Sequence, residues 1–262
     1  MELGLKGKRA LVCASSRGLG FACALGLAKE GCHVVVASRN QARIEEAAER
    51  IHNETGAQVH PVAANVKDAD AGEKLVQTAI DEFGGLEILI HNAGGPPPGG
   101  FSAVDEGQWA SAFELSLMSF VRMARAAAPQ MKRAGYGRIL AIASSSIREP
   151  IPNLVLSNAM RMGVLGTAKT LSKELARDNI LVNVIAPGRI YTERIDELDR
   201  VDAEREGTTV EAIRKASVAT IPIGRLGQPK ELANLAVFLS SEAASYVTGA
   251  AIQVDGGMLG TY

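Results

Sequence analysis

A chain of 262 residues carrying 28 Lys and Arg against 29 Asp and Glu is nearly neutral, and 47% of it is hydrophobic. That balance excludes non-specific binding to nucleic acid or to an acidic membrane surface, and the length suits one α/β domain with a large core. No apolar run reaches the roughly 20 residues of a membrane span, and the opening MELGLKGKRA has no signal-peptide core.

The chain begins with a short apolar run, Arg9 to Cys13, which reads as a buried strand. It runs into the turn Cys13-Ala14-Ser15-Ser16-Arg17-Gly18-Leu19-Gly20, and Phe21 to Glu30 then has helical spacing that stops at Gly31. His33 to Ala37 is a second strand. Strand, glycine turn, helix and strand make half of a nucleotide-binding unit. A helix N-terminus offers free N–H groups and partial positive charge to a phosphate, and Gly18 and Gly20 allow close backbone approach. An ordinary βα turn would share the glycines but not the whole flanking pattern. Cys13, Cys23 and Cys32 fall in and around this unit, odd in number and without CxxC spacing. They read as buried thiols in a reducing cytoplasm, with no metal site.

Strand and helix continue to alternate. Gln41 to Asn53 is a charged amphipathic helix, Gln58 to Ala63 a strand, Asp68 to Phe83 a helix and Leu86 to Ile90 a strand that enters the loop Gly94 to Gly100. Asp105 to Ala134 reads as one long helical region with Trp109, Phe113, Leu117 and Phe120 at core spacing. Arg138 to Ala143 is a strand, Asn153 to Arg177 a long helix, and Leu181 to Ile185 a strand ending in Ala186-Pro187-Gly188. A charged insert, Glu193 to Ala219, is helical in pieces with a break near Gly207; a helix at Pro229 to Leu239 and a strand near Ala251 to Val254 close the chain. Repeated βα units imply a doubly wound parallel sheet with helices on both faces, whose ligands sit at the carboxyl ends of the strands. That rule singles out Ser38-Arg39, Asn65-Val66, His91-Asn92-Ala93-Gly94, Ser144 and Pro187-Gly188.

Along nearly its whole length the sequence resembles the short-chain dehydrogenase/reductase family, 3-oxoacyl-carrier-protein reductases being the nearest general likeness. The matching pieces are Ser15-Ser16-Arg17-Gly18-Leu19-Gly20, Asn92-Ala93-Gly94, Val182-Asn183, Pro187-Gly188 with Ile190 and Thr192, Ile221 to Gly227, Tyr246 to Gly249, and Val254-Asp255-Gly256-Gly257. The resemblance implies one Rossmann domain over 1–262, with 193–219 as a substrate lid, a nicotinamide dinucleotide cofactor, a small carbonyl or alcohol substrate, and a homo-oligomer, dimer or tetramer. Association is also expected because the helices around Ala112 to Met131 and Asn153 to Arg177 carry more apolar residues than one sheet-facing stripe needs. Members preferring NAD(H) usually carry an acid at the end of the second strand, where it bonds the ribose hydroxyl. Here Ser38 and Arg39 stand there, and a fixed guanidinium suits an extra 2′-phosphate, so NADP(H) is the expected cofactor, with Arg17 as a second cation and NAD(H) the weaker choice. Ala14 replaces a common glycine, a modest steric change, and Asn65 replaces a common aspartate.

The catalytic pieces depart from the family. Its serine matches Ser144, but Ser157 and Arg161 stand where its tyrosine and lysine belong, and Ser116 replaces its asparagine. The following Gly163-Val164-Leu165-Gly166 keeps the family register. The i, i+4 spacing leaves Ser157 and Arg161 on one helix face. Both can polarise a carbonyl beside Ser144, yet a serine is a weak acid and an arginine does not relay a proton. His91 and Tyr191 are the other acid–base candidates. Two functions remain open on the sequence: an oxidoreductase with an altered proton donor, or an NADP(H)-binding sensor or structural partner with weak or lost catalysis.

Overall fold

In the computed structural model, which describes residues 2–261, the strands are β1 (Arg9–Cys13), β2 (His33–Ser38), β3 (Val59–Ala63), β4 (Ile88–His91), β5 (Gly137–Ile142), β6 (Ile180–Pro187) and β7 (Ala251–Val254). They form one sheet in the order β3-β2-β1-β4-β5-β6-β7, and every pairing is parallel. Strands buried on both faces read as continuous apolar runs, which is why β1, β4 and β5 stood out in the sequence. Cys13, Cys23 and Cys32 are buried and unpaired, and burial pushes each thiol up to about 12, so all three stay protonated at neutral pH.

The helices are α1 (Gly18–Lys29), α2 (Gln41–Thr55), α3 (Ala71–Phe83), α4 (Glu106–Ala112), α5 (Ser119–Ala134), α6 (Val155–Glu174), α7 (Glu193–Glu206), α8 (Val210–Ala219) and α9 (Pro229–Ser240). Two cores result. Leu27 of α1, Ile44 of α2 and Leu232 of α9 pack on one face of the sheet; Leu75 of α3, Phe120 of α5 and Val164 of α6 pack on the other. This is the doubly wound α/β domain expected.

Three boundaries move for local reasons. The glycine turn is not a separate loop, since Gly18, Leu19 and Gly20 form the first turn of α1. Helix α3 starts at Ala71, because Asp68 to Asp70 are spent in a turn closed by Asp68 N–H to Asn65 O and Ala71 N–H to Asp68 O. The single helix expected over 105–134 is α4, a π-helical turn at Phe113–Met118, and α5, with Asp105 closing a capping box on Gln108. The wide π turn rotates the side chains, so the expected core row is broken. Phe120 is fully buried, whereas Phe113 is 40% exposed and Trp109 and Leu117 are only half-buried.

Candidate active site

The order of strands reverses between β1 and β4, which leave in opposite directions across the sheet. Neighbouring crossovers part there, and a cleft opens outside the strand ends. The cleft has a volume of about 1430 Å³. That exceeds the roughly 300–1,000 Å³ of a typical small-ligand pocket and has room for a dinucleotide with a second small molecule. Ser116, His91 and Tyr191 lie outside its lining, and of the other cofactor-binding and catalytic residues expected from sequence only Ser15 and Gly20 do not line it.

Those two build its floor. The Ser15 hydroxyl donates to Val12 O (2.8 Å) and accepts from Ala37 N–H (3.0 Å), tying β1 to β2. A Cβ on Gly20 would lie 2.9 Å from Asn92 Nδ2 and closer still to the Ala14 carbonyl oxygen. Asn92 Nδ2 donates to that same oxygen (3.2 Å), so the turn after β4 braces the turn after β1. Ala14 holds φ +46°, a left-handed conformation costing an L-residue about 1–2 kcal/mol. Its replacement of glycine is therefore conformational as well as steric.

One end of the cleft suits phosphates. Helix α1 begins with no side-chain cap, so its first N–H groups are free, and Gly18 holds φ +58° against Thr192. Arg39 lies exposed beside Ser38, Arg43 and Asn65 and makes no ion pair among the described residues. Asn40 accepts from Arg43 N–H (2.9 Å), capping α2 and holding this corner. Arg17, by contrast, is ion-paired across the cleft with Glu193, the first residue of α7. Glu193 and Arg43 were not picked out in the sequence, because their relevance depends on pairing or turning toward residues distant in the chain. On the same wall β6 ends at Pro187, and Gly188 passes so close to Asp255 that a Cβ would sit 2.6 Å from that residue's Cβ. Ile190 is buried beneath Thr192 at the start of α7.

The other end holds Ser144, Ser157 and Arg161. Ser144 follows β5 and accepts from Ser146 N–H (3.1 Å). Asn158 ties α6 to the preceding loop through both Ile151 N–H (3.2 Å) and Ile151 O (2.9 Å). One turn along, Arg161 is only 5% exposed and donates to Ile142 O (3.1 Å) and Ala93 O (3.3 Å). It thereby joins the ends of β4 and β5, while its Nε has no partner. Burial and then the like charge of Arg194 push its guanidinium down to about 10, and it remains charged at neutral pH. Arg194, at the start of α7, lies on the Gly95 backbone and donates to Pro96 O (2.7 Å). Ser116 sits in the π turn, fully buried, with its hydroxyl unpartnered.

Neither alternative acid survives. His91 is fully buried behind the cleft wall, not in it. The Ser119 hydroxyl donates to Leu115 O (2.5 Å), so it accepts from His91 Nε2 (2.8 Å), leaving Nδ1 bare and the ring neutral. Burial, then the Arg161 charge, holds this imidazole down to about 3. Tyr191 is 48% exposed, lies outside the cleft lining, and has the Arg214 guanidinium over its ring. The histidine has a consequence for stability. Between its ordinary 6.5 and about 3, the unfolded chain binds a proton that the native one refuses. Acidification through that window should cost up to about 1.4 kcal/mol per pH unit from this residue alone. Urea unfolding of His91→Gln, which keeps a donor for Ser119 but does not titrate, should give a flatter stability–pH curve than the native protein.

A parallel sheet with a glycine-lined helix start at its switch point and free cations nearby defines a Rossmann dinucleotide-binding protein. The family described as enoyl-(acyl carrier protein) reductase matches residues 13–259. Human dehydrogenase/reductase SDR family member 4 is 37% identical over 97% of this chain and 88% of its own length. The 3-oxoacyl-[acyl-carrier-protein] reductase of Aquifex aeolicus is 33% identical over 98% of this chain and all of its own. Among solved structures, L-sorbose reductase from Gluconobacter frateurii, complexed with NADPH and L-sorbose, superposes with a TM-score of 0.95 at 35% identity over the full length of both chains. The chain belongs to the short-chain dehydrogenase/reductase family, whose members bind a nicotinamide cofactor and act on small molecules. No described helix is long and apolar enough to cross a membrane, and no described cluster of His, Cys, Asp and Glu could hold a metal ion.

Proposed function

We propose that the protein is an NADP(H)-dependent reductase of a small carbonyl compound, working through Ser144, Ser157 and Arg161. The observation that carries this reading is one cleft whose lining runs from the open N-terminus of α1 to Ser144, Ser157 and the buried Arg161. The residues present fit the dinucleotide: Ser16 to Leu19 and the first N–H groups of α1 would take its pyrophosphate, and Asn92, Ala93, Gly94, Pro187, Gly188, Ile190 and Thr192 would flank its nicotinamide. The bound cofactor would supply hydride. The chain's own part is to orient the carbonyl and stabilise negative charge on its oxygen with hydroxyl and guanidinium N–H groups.

Arg39, exposed beside Ser38 and without an ion pair among the described residues, supports the 2′-phosphorylated form, and the NADPH in the sorbose reductase structure is consistent with it. Titration should find NADPH bound at least tenfold more tightly than NADH, in line with a charge-assisted phosphate contact. Equal affinities would remove this part of the proposal. Helices α7 and α8 act as a substrate lid in this reading, since Arg194, Leu198 and Val201 of α7 and Ser217 of α8 line the cleft. The half-exposed Phe113 and Met162 favour a homodimer or tetramer through α4–α6, checked by the mass in light scattering.

The direct test is NADPH oxidation against a panel of carbonyl compounds, run beside NADPH binding. Turnover above background supports the reductase. Tight binding without turnover supports the second reading, a dinucleotide-binding protein with lost catalysis, which one observation favours: no Tyr, Lys, His or Cys lines the cleft among the described residues.

A further inference from the structure

Helix α7 carries a charge in the middle of its buried face. It buries Ile195, Asp199 and Ala203, whose spacing of four residues puts them in one row. The outer two are apolar, and the middle one is an aspartate with no exposed surface. An ionised carboxylate so placed needs compensation, and two arginines supply it. Arg189, in the turn after β6, donates to Oδ1, and Arg214 of α8 donates to Oδ2 (3.0 Å). Arg214 also reaches Asp196, a turn earlier on α7 (2.6 Å).

The two arginines hold different things. Arg214 joins α7 to α8, a helix with no buried residue of its own. Arg189 joins α7 to a segment that is fixed through its backbone. Gly188 N–H donates to Val254 O (3.0 Å), Gly227 N–H to Arg189 O (3.0 Å) and Tyr191 N–H to Gly227 O (2.8 Å). Among the described residues the Arg189 side chain bonds to Asp199 alone, and its Nε is unpartnered. Apolar support beneath the two helices is small: Ile195, Ile221 and Leu226 form a cluster separate from both cores. Asp199 is thus the point at which α7 and α8 are moored to the turn that carries Gly188, Ile190 and Thr192.

That mooring bears on the cleft because α7 starts directly after Thr192. Its first two residues make the contacts that cross the opening, Glu193 to Arg17 and Arg194 to Pro96 O (2.7 Å). A different angle of departure from Thr192 would pull both apart. Asp199 itself does not line the cleft. For folding alone an apolar residue would serve the buried row as well or better, since a buried ion pair replaced by well-packed hydrophobic groups is often neutral or stabilising. What the carboxylate adds is direction, because it accepts from two guanidinium groups of fixed geometry.

We propose that Asp199 is a positioning residue for the nicotinamide end of the cleft: through Arg189 it sets the angle at which α7 leaves Thr192 and so closes the lid over the nicotinamide. This rests on the reading above in which Gly188, Ile190 and Thr192 flank that ring. Asp199 acts on the cofactor only through the turn and the helix that it joins.

The experiment compares two probes on the full chain. NADPH spans the cleft, whereas 2′,5′-ADP fills only the adenosine half, at the Arg39 end. Asp199→Asn keeps the shape of the side chain, removes its charge and leaves the Arg189 and Arg214 cations without an anion between them. It should raise the Kd for NADPH about tenfold, within the usual range for coupled sites, and leave that for 2′,5′-ADP nearly unchanged. The fluorescence of bound NADPH should fall towards that of NADPH in buffer, as the nicotinamide is left open to water. Arg189→Met, at a partly exposed side chain should the first variant fold poorly, should give the same split. Adding Asp199→Asn to it should cost little more, because the two residues act as one unit.

Equal losses for both probes would make Asp199 a general support of the fold and overturn the proposal, as would unchanged NADPH affinity and fluorescence. Additive losses in the double variant would also overturn it, by detaching Asp199 from Arg189. Each of these leaves the cofactor reading intact. Wild-type protein that binds neither probe would overturn both.

Discussion

Arg161→Met should make the protein more stable and nearly inactive. Methionine has about the reach of the arginine stem and removes a charge whose burial costs several kcal/mol even after relaxation. Against this stand two lost hydrogen bonds, to Ile142 O and Ala93 O, at about 1–3 kcal/mol each if those carbonyls found no other partner. Both carbonyls belong to residues that line the cleft, and water there can replace the guanidinium. The net expectation is a gain of about 1–2 kcal/mol in urea unfolding. Any NADPH-linked turnover should fall by about 100- to 1000-fold, the cost of losing a principal oxyanion donor. A loss of several kcal/mol instead would make Arg161 a strut between β4 and β5 and remove its charge from the chemistry.

Gly20→Ala should damage the cofactor end as severely. The added methyl has no room, since it would meet the Ala14 carbonyl and Asn92 Nδ2, the two groups that join the turns after β1 and β4. Backbone cannot swing away as a long side chain can, and Ala14 already sits in left-handed space. Overpacking of this kind costs about 1–3 kcal/mol in unfolding free energy. The displaced α1 N-terminus should also lose most of its affinity for NADPH, read as a rise of at least tenfold in Kd. Gly18→Ala is the contrasting variant: its Cβ would touch only Thr192, at 3.5 Å, and its cost should come from the φ of +58°.

Much of the fold was legible because each βα unit carries its own local signature. The seven strands were read from apolar runs, since a parallel sheet covered on both faces needs no polar alternation. The misreadings came where local pattern and tertiary packing part. Trp109, Phe113, Leu117 and Phe120 keep helical spacing, but a π-helical turn rotates the row and leaves Phe113 partly in solvent. No residue at 113–118 announces that turn in the sequence. His91, adjacent to a conspicuous motif at a strand end, looked available for acid–base work, but it ends a fully buried strand, packs edge-on against Phe120 and is hydrogen-bonded to Ser119.

The candidate site divides the same way. The glycine turn, Ser38 and Arg39, and the serine and arginine standing in place of the family's tyrosine and lysine are properties of residue type at fixed spacing, and the sequence alone determined them. It likewise determined that Ser157 and Arg161 share a helix face. Only the tertiary structure decided which charges are free: Arg17 is engaged by Glu193 from 176 positions away, whereas Arg39 makes no ion pair among the described residues. It also decided that Arg161 is buried between two strand ends with its Nε unpartnered and that, among the described residues, no Tyr, Lys, His or Cys lines the same cleft. Charge, burial and pairing depend on distance through space, and the chain order does not contain that distance until the sheet has brought β1, β4, β5 and β6 side by side.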